Sequence, residues 1–252
     1  METSKTEPRP VLWHLGMSHY NEKARWALDW KRIPHTRRAT MPGVHVAVAK
    51  RLAGTETFPI LQIGDEVIAD SSDIAAALDQ RWPARPLLPN NPAERERALE
   101  LQQHFDTVLA PAVRSLVYQH LLIDRDLSAK ILATGGGAGR ERTLKLLQPL
   151  LAPLMRKNFD VPPGSDDRPE RIVLAQVEQI GAMTEGREFL VGERFSVADL
   201  TAASFLAPLV CLDAIPARLP ALPGSLQSFT ERITSTPGGQ WAARTYRANR
   251  LG

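Results

Sequence analysis

A single cysteine, Cys211, stands in 252 residues. That excludes an internal disulfide and any metal site built from cysteines alone, and it suits a reducing compartment. Charge of one sign is not in marked excess: the net charge is only +3. No basic stripe interleaved with aromatics occurs, so nucleic acid is not an expected partner, while a weakly basic surface suits anionic small molecules. The longest apolar stretch, Ala202–Leu212, is too short to cross a bilayer and is followed by Asp213, so no membrane partner is expected. The histidines lack paired ligand spacing, and no metal is expected. The glycine run 135–139 is not followed by Gly-Lys-Ser/Thr, so it reads as a flexible interhelical loop rather than a phosphate cradle. Met1–Pro10 is polar and carries Lys5 and Arg9; no signal peptide is expected there, and the chain reads as cytoplasmic.

What is present is a core-forming chain: hydrophobic residues make up 43% of it, enough for one large or two ordinary domains. Val11–Leu15 reads as a strand ended by Gly16, and 21–31 as a helix with Ala24, Ala27 and Leu28 on its buried face and Glu22, Lys23 and Arg25 at its flanks. His35–Thr40 is a weaker strand and Val44–Leu52 a short irregular helix. Thr57–Ile63 and Glu66–Ala69 form a hairpin around Gly64-Asp65, and Ser71 caps a helix reaching about Arg81. This order describes an α/β layer on a small sheet. The segment from Trp82 to Pro92 holds four prolines and no periodicity, as a linker would. Beyond it strand signals vanish. Helices are expected over 93–123 with a kink at Pro111, over 140–157, 170–185, 226–234 and 239–248, and from Ser196. That last helix carries a capping box, Ser196 with Asp199, and Phe195 and Leu200 are placed as a hydrophobic staple. It is apolar on nearly every side, as the buried centre of a bundle would be.

Three local features, in this order and spacing, resemble the glutathione transferase superfamily over nearly the whole chain. They are Ser18-His19-Tyr20-Asn21-Glu22-Lys23-Ala24-Arg25 after the first strand, Phe58-Pro59-Ile60-Leu61, and Asp70-Ser71-Ser72-Asp73. The box Ser196-Val197-Ala198-Asp199 resembles the helix start in that family's second domain. The resemblance implies a thioredoxin-like α/β domain over residues 1–83, a linker over 84–91 and an all-helical bundle domain over 92–252. It also implies glutathione as co-substrate, a small hydrophobic electrophile and a two-fold homodimer.

Each feature has a chemistry and a plainer role beside it. Ser18 is the expected catalytic hydroxyl: donating to the glutathione sulfur stabilises the thiolate, with help from a helix N-terminus. A hydroxyl can also cap the helix at the same time. Asn21 stands where relatives carry a second redox cysteine, so disulfide chemistry is not expected; it is placed either to donate to the sulfur or to sit in the first helical turn. The resemblance implies a cis Pro59 that turns the Phe58 backbone toward the cysteinyl part of glutathione. Ser71 at a helix N-terminus suits the γ-glutamyl carboxylate and Asp70 its ammonium. His45 or Lys50 is the expected cation for the glycyl carboxylate. His104, Phe105, Val108 and Tyr118 are the expected electrophile contacts, and Cys211 is inert packing. Two functions follow: an enzyme joining glutathione to an apolar electrophile, or a non-catalytic module that keeps the fold for binding.

Overall fold

The computed structural model describes residues 8–161 and 166–250. The expectation for Met1–Pro10 therefore falls mostly outside the described residues. Four short strands form one sheet: β1 (Val11–His14), β2 (Thr36–Ala39), β3 (Ile60–Ile63) and β4 (Glu66–Ala69). Their order is β2-β1-β3-β4; β1 runs parallel to β2 and antiparallel to β3, and β4 runs antiparallel to β3. A parallel neighbour requires a crossover, which α1 (His19–Trp30) supplies. Helices α2 (Val44–Ala53) and α3 (Ser71–Arg81) complete a thioredoxin-like layer. The β3–β4 turn is Gly64-Asp65, with Gly64 at φ +61°. The strand expected from Thr57 begins only at Ile60, since Pro59 has no N–H to give a ladder; the Phe58–Pro59 peptide is cis.

The first helix of the all-helical part begins at Pro92, behind Asn91, whose side chain accepts from the N–H groups of Ala93 and Glu94. The long helix expected over 93–123 is α4 (Pro92–His104), a π turn (Phe105–Leu109) and α5 (Ala110–Leu121). Pro111 cannot donate to the Thr107 carbonyl, and just before it the helix widens into a π turn, with the Ala110 N–H bonded to the Phe105 carbonyl. A short helix, α6 (Arg125–Leu132), was not legible from periodicity because it spans barely two turns. It is followed by α7 (Ala138–Asn158), α8 (Arg168–Met183), α9 (Val197–Val210), α10 (Gln227–Thr234) and α11 (Pro237–Asn249). Every residue of α9 except Pro208 is buried. Its start is fixed by Asp199, which accepts from the Ser196 N–H (2.8 Å), the Ser196 hydroxyl (2.7 Å) and the Leu190 N–H (2.7 Å).

Helix α1 lies between α3 and α9. For that reason Glu22, Lys23 and Arg25, expected at its flanks, are all buried. The segment after α3 is pinned by charge: Asp79 pairs with Lys31 at 2.7 Å and accepts from the N–H groups of Leu87 and Leu88. The Leu87 carbonyl accepts from Val197 at the start of α9, so this segment ties the two layers together. The α6–α7 hairpin leans on the loop after β1. A Cβ on Gly16 would lie 2.5 Å from the Thr134 carbonyl oxygen, so only glycine permits this approach.

Candidate functional site

A cleft of about 700 Å³ opens between the two layers. Ser18 lines it from the N-terminus of α1, where its hydroxyl accepts from the Asn21 N–H at 3.5 Å. The hydroxyl proton stays free to point at a ligand. The loop that carries Ser18 is held by Arg25, whose guanidinium donates to the carbonyls of Leu15 (3.1 Å), Gly16 (3.2 Å) and Ser18 (3.4 Å). Arg25 also donates to Glu22 (2.7 Å) and to His14 Nδ1 (2.9 Å). Burial, with the charges of Arg25 and Arg37, lowers His14 to about 4, so it is neutral and accepts. Burial alone would raise the Glu22 carboxyl. Arg25, Arg250 and the Tyr246 hydroxyl (2.7 Å) outweigh it and bring Glu22 down to about 2.

Asn21 does not face the cleft. It is fully buried, its Oδ1 accepts from the Leu15 N–H (3.1 Å) and its Nδ2 donates to the Phe58 carbonyl (3.2 Å). The amide thus staples the Ser18 loop to the cis-proline loop, and the expected contact with sulfur is not formed from this position. Phe58 and Pro59 line the cleft.

Asp70 and Ser71 line it at the start of α3. Asp70 sits at φ +78° and accepts from the Ser72 N–H at 2.7 Å. Ser71 is 1% exposed, and its hydroxyl has no hydrogen-bond partner among the described residues. A buried hydroxyl without a partner is rare enough to call for an explanation. Next to it, the fully buried Lys23 donates to both oxygens of Asp106 (2.9 Å each) and to the Ser72 hydroxyl (2.8 Å). Burial lowers the Lys23 ammonium, which Asp106 opposes.

The two candidate cations differ in placement. His45 lines the cleft. Its Nδ1 accepts from the Gly43 N–H (3.1 Å), which leaves Nε2 to carry the proton, and burial lowers its pKa. Lys50 lies outside the cleft and is paired with Glu56 at 2.8 Å. Of the expected electrophile contacts only Tyr118 lines the cleft. His104 instead bonds Gln176 of α8 (2.8 Å), Phe105 is core, and Val108 is not part of the wall. The wall is formed instead by Leu99 and Gln102 of α4 and by Asp106 and Thr107 of the π turn. Arg114 of α5 and Phe159 also contribute, and nothing in the spacing singled them out. Tyr20 lines the cleft too, but its hydroxyl is spent on the Asp106 carbonyl (2.8 Å), and burial raises its pKa to about 12. Among the described residues no group of three or more His, Cys, Asp or Glu could hold a metal ion, and no helix is long and apolar enough to cross a membrane.

Residues 12–86 match the family model described as glutathione S-transferase, N-terminal domain. The chain as a whole shares its fold, a thioredoxin-like layer beside an all-helical domain, with solved structures of low sequence identity. Solved structures of the same fold include a glutathione S-transferase of Ceriporiopsis subvermispora in complex with glutathione (15% identity, TM-score 0.65, 96% of each chain covered). A glutathione transferase homolog of Drosophila mojavensis with bound glutathione is another (18% identity, TM-score 0.59, 96% of this chain and 97% of that one). The beta-etherase LigF of Sphingobium sp. strain SYK-6 is a third (16% identity, TM-score 0.60, 92% of this chain and 98% of that one). No curated protein matches the chain in sequence.

Proposed function

We propose that the chain is a glutathione transferase. In this reading residues 1–83 bind the tripeptide, 84–91 link, and 92–252 hold a small electrophile over the thiolate. The observation that carries it is the buried, unpartnered Ser71 hydroxyl at the N-terminus of α3, facing the same cleft as Ser18. A carboxylate there would meet the hydroxyl and the free N–H groups of the helix start. The γ-glutamyl group supplies that carboxylate, and its ammonium would fall to Asp70. The glycyl carboxylate would fall to His45 Nε2–H.

Ser18 is the catalytic hydroxyl of this reading. Lowering a thiol from about 8.5 by roughly two pH units takes about 2.7 kcal/mol. One hydrogen bond to a charged sulfur, roughly 1.5–3 kcal/mol, with the helix terminus, is of that size. The thiol proton passes to solvent, the sulfur forms a bond to the electrophilic carbon, and the leaving group departs with the bonding pair. Because the Tyr20 hydroxyl is committed to Asp106, it does not compete with Ser18 for this role. A cytoplasmic two-fold homodimer with a role in detoxification belongs to the same reading, and light scattering on the purified protein tests the dimer.

The test is glutathione binding by calorimetry, then turnover of a chromogenic aryl halide, for wild type, Ser18→Ala and Ser71→Ala. Ser71→Ala should weaken glutathione at least about tenfold. Ser18→Ala should bind it and lose turnover about a hundredfold. Failure of wild type to bind millimolar glutathione would end the proposal.

A further inference from the structure

One cation in the cleft has no use in the chemistry above. Arg114 lies on the helical-domain wall, half-buried, and its Nε is buried without a hydrogen-bond partner among the described residues. Among the described residues it pairs with no carboxylate. Asp106, a carboxylate lining the same cleft, is taken by Lys23 and Ser72. What surrounds Arg114 is aromatic: the guanidinium carbon is 4.7 Å from the Phe159 ring centre and 5.9 Å from that of Tyr20. The Tyr118 ring packs against Phe159 at a tilt of 38°, with ring centres 5.3 Å apart. Val113 and Val117 on the same helix line the cleft as well.

A guanidinium between aromatic faces keeps its charge, is weakly hydrated, and presents a planar fork that matches a carboxylate. A partly buried, unpaired cation is costly to keep unless something anionic completes it. We propose that the helical-domain half of the cleft recognises an aromatic carboxylic acid, its ring lying against Tyr118 and Phe159 and its carboxylate held by the Arg114 fork. The second substrate is then an amphiphilic acid, not the purely apolar electrophile expected from the sequence. This identification rests on the transferase reading for its role as substrate, while the binding preference itself stands on the geometry of Arg114. The tripeptide's own carboxylates are accounted for by Ser71 and His45, on the opposite, α/β side of the cleft.

The experiment uses two unreactive, nearly isosteric probes, 2-naphthoate and 2-naphthamide. Each is titrated by calorimetry into wild type, Arg114→Gln and Arg114→Lys, with glutathione titrated in parallel. Wild type should bind the acid at least about tenfold more tightly than the amide. Arg114→Gln should abolish that preference, Arg114→Lys should keep part of it, and glutathione affinity should be the same in all three. Equal affinities in wild type, no measurable binding of the acid, or a preference that survives Arg114→Gln would each overturn the inference. So would loss of glutathione binding in a folded Arg114→Gln, since the cation would then serve the tripeptide. The wild-type contrast holds whether or not a variant folds. If wild type ignores glutathione but keeps the acid preference, the transferase reading falls and the acid site stands.

Discussion

Replacing Glu22 by Gln is the sharpest test of what holds the Ser18 loop in place. The Glu22 carboxylate is 2% exposed and lies between Arg25 and Arg250, with the Tyr246 hydroxyl donating to it at 2.7 Å. Gln keeps the volume and removes the charge, so two buried guanidiniums lose their common counter-ion. Breaking a buried pair in this way costs about 3–5 kcal/mol. The pH dependence gives a second measure. A carboxyl held at about 2 in the fold and at about 4.3 in the unfolded chain contributes roughly 3 kcal/mol at neutral pH. Because the folded value is the lower one, that contribution is complete above about pH 4.3 and is lost as pH falls toward 2. At about 2–4 °C per kcal/mol for a chain of this size, Glu22→Gln should lower Tm by roughly 6–20 °C at pH 7. Between pH 5 and 3 the wild type should lose stability more steeply than the variant. Thermal and urea unfolding followed by far-UV circular dichroism measures both. A Tm within about 2 °C of wild type, together with an unchanged acid slope, would refute the reasoning.

Other perturbations follow from the same geometry. Asp106→Leu should cost about 3–5 kcal/mol by stranding the fully buried Lys23. Adding Lys23→Met should recover much of that, and a double-mutant cycle in urea reads the coupling. Gly16→Ala puts a methyl 2.5 Å from the Thr134 carbonyl oxygen and should destabilise by about 1–3 kcal/mol. Under the glutathione reading, His45→Ala should weaken tripeptide binding several-fold, whereas Lys50→Ala, which loses only an exposed pair with Glu56, should leave it unchanged. Since burial lowers His45, it is neutral through pH 7–8, and calorimetry across that range should find no change in affinity that His45→Ala removes.

Local chemistry was enough to mark several parts of this protein from sequence. A serine before a helix, a proline at a strand entry, an acid-serine pair at another helix start and the box at Ser196 and Asp199 each act within a few residues. Their meaning therefore survives without a fold. Helical periodicity placed most of the later helices but failed at α6, which is too short to repeat, and gave no sign of the π turn just before Pro111. It also misassigned Glu22, Lys23 and Arg25, because a polar residue on a helix ordinarily means a wet face. That rule fails when partners arrive from afar: Tyr246 and Arg250 reach Glu22 across 224 and 228 residues, and Asp106 reaches Lys23 across 83. Only tertiary structure could turn Asn21 into a staple between two loops, move the cleft wall off His104, Phe105 and Val108, and leave Arg114 without a counter-ion among the described residues. Sequence determined which groups sit at helix ends, because capping is a matter of adjacent residues. The fold alone decided which charges are buried and which one is left over, because pairing in the interior depends on what the packing brings together.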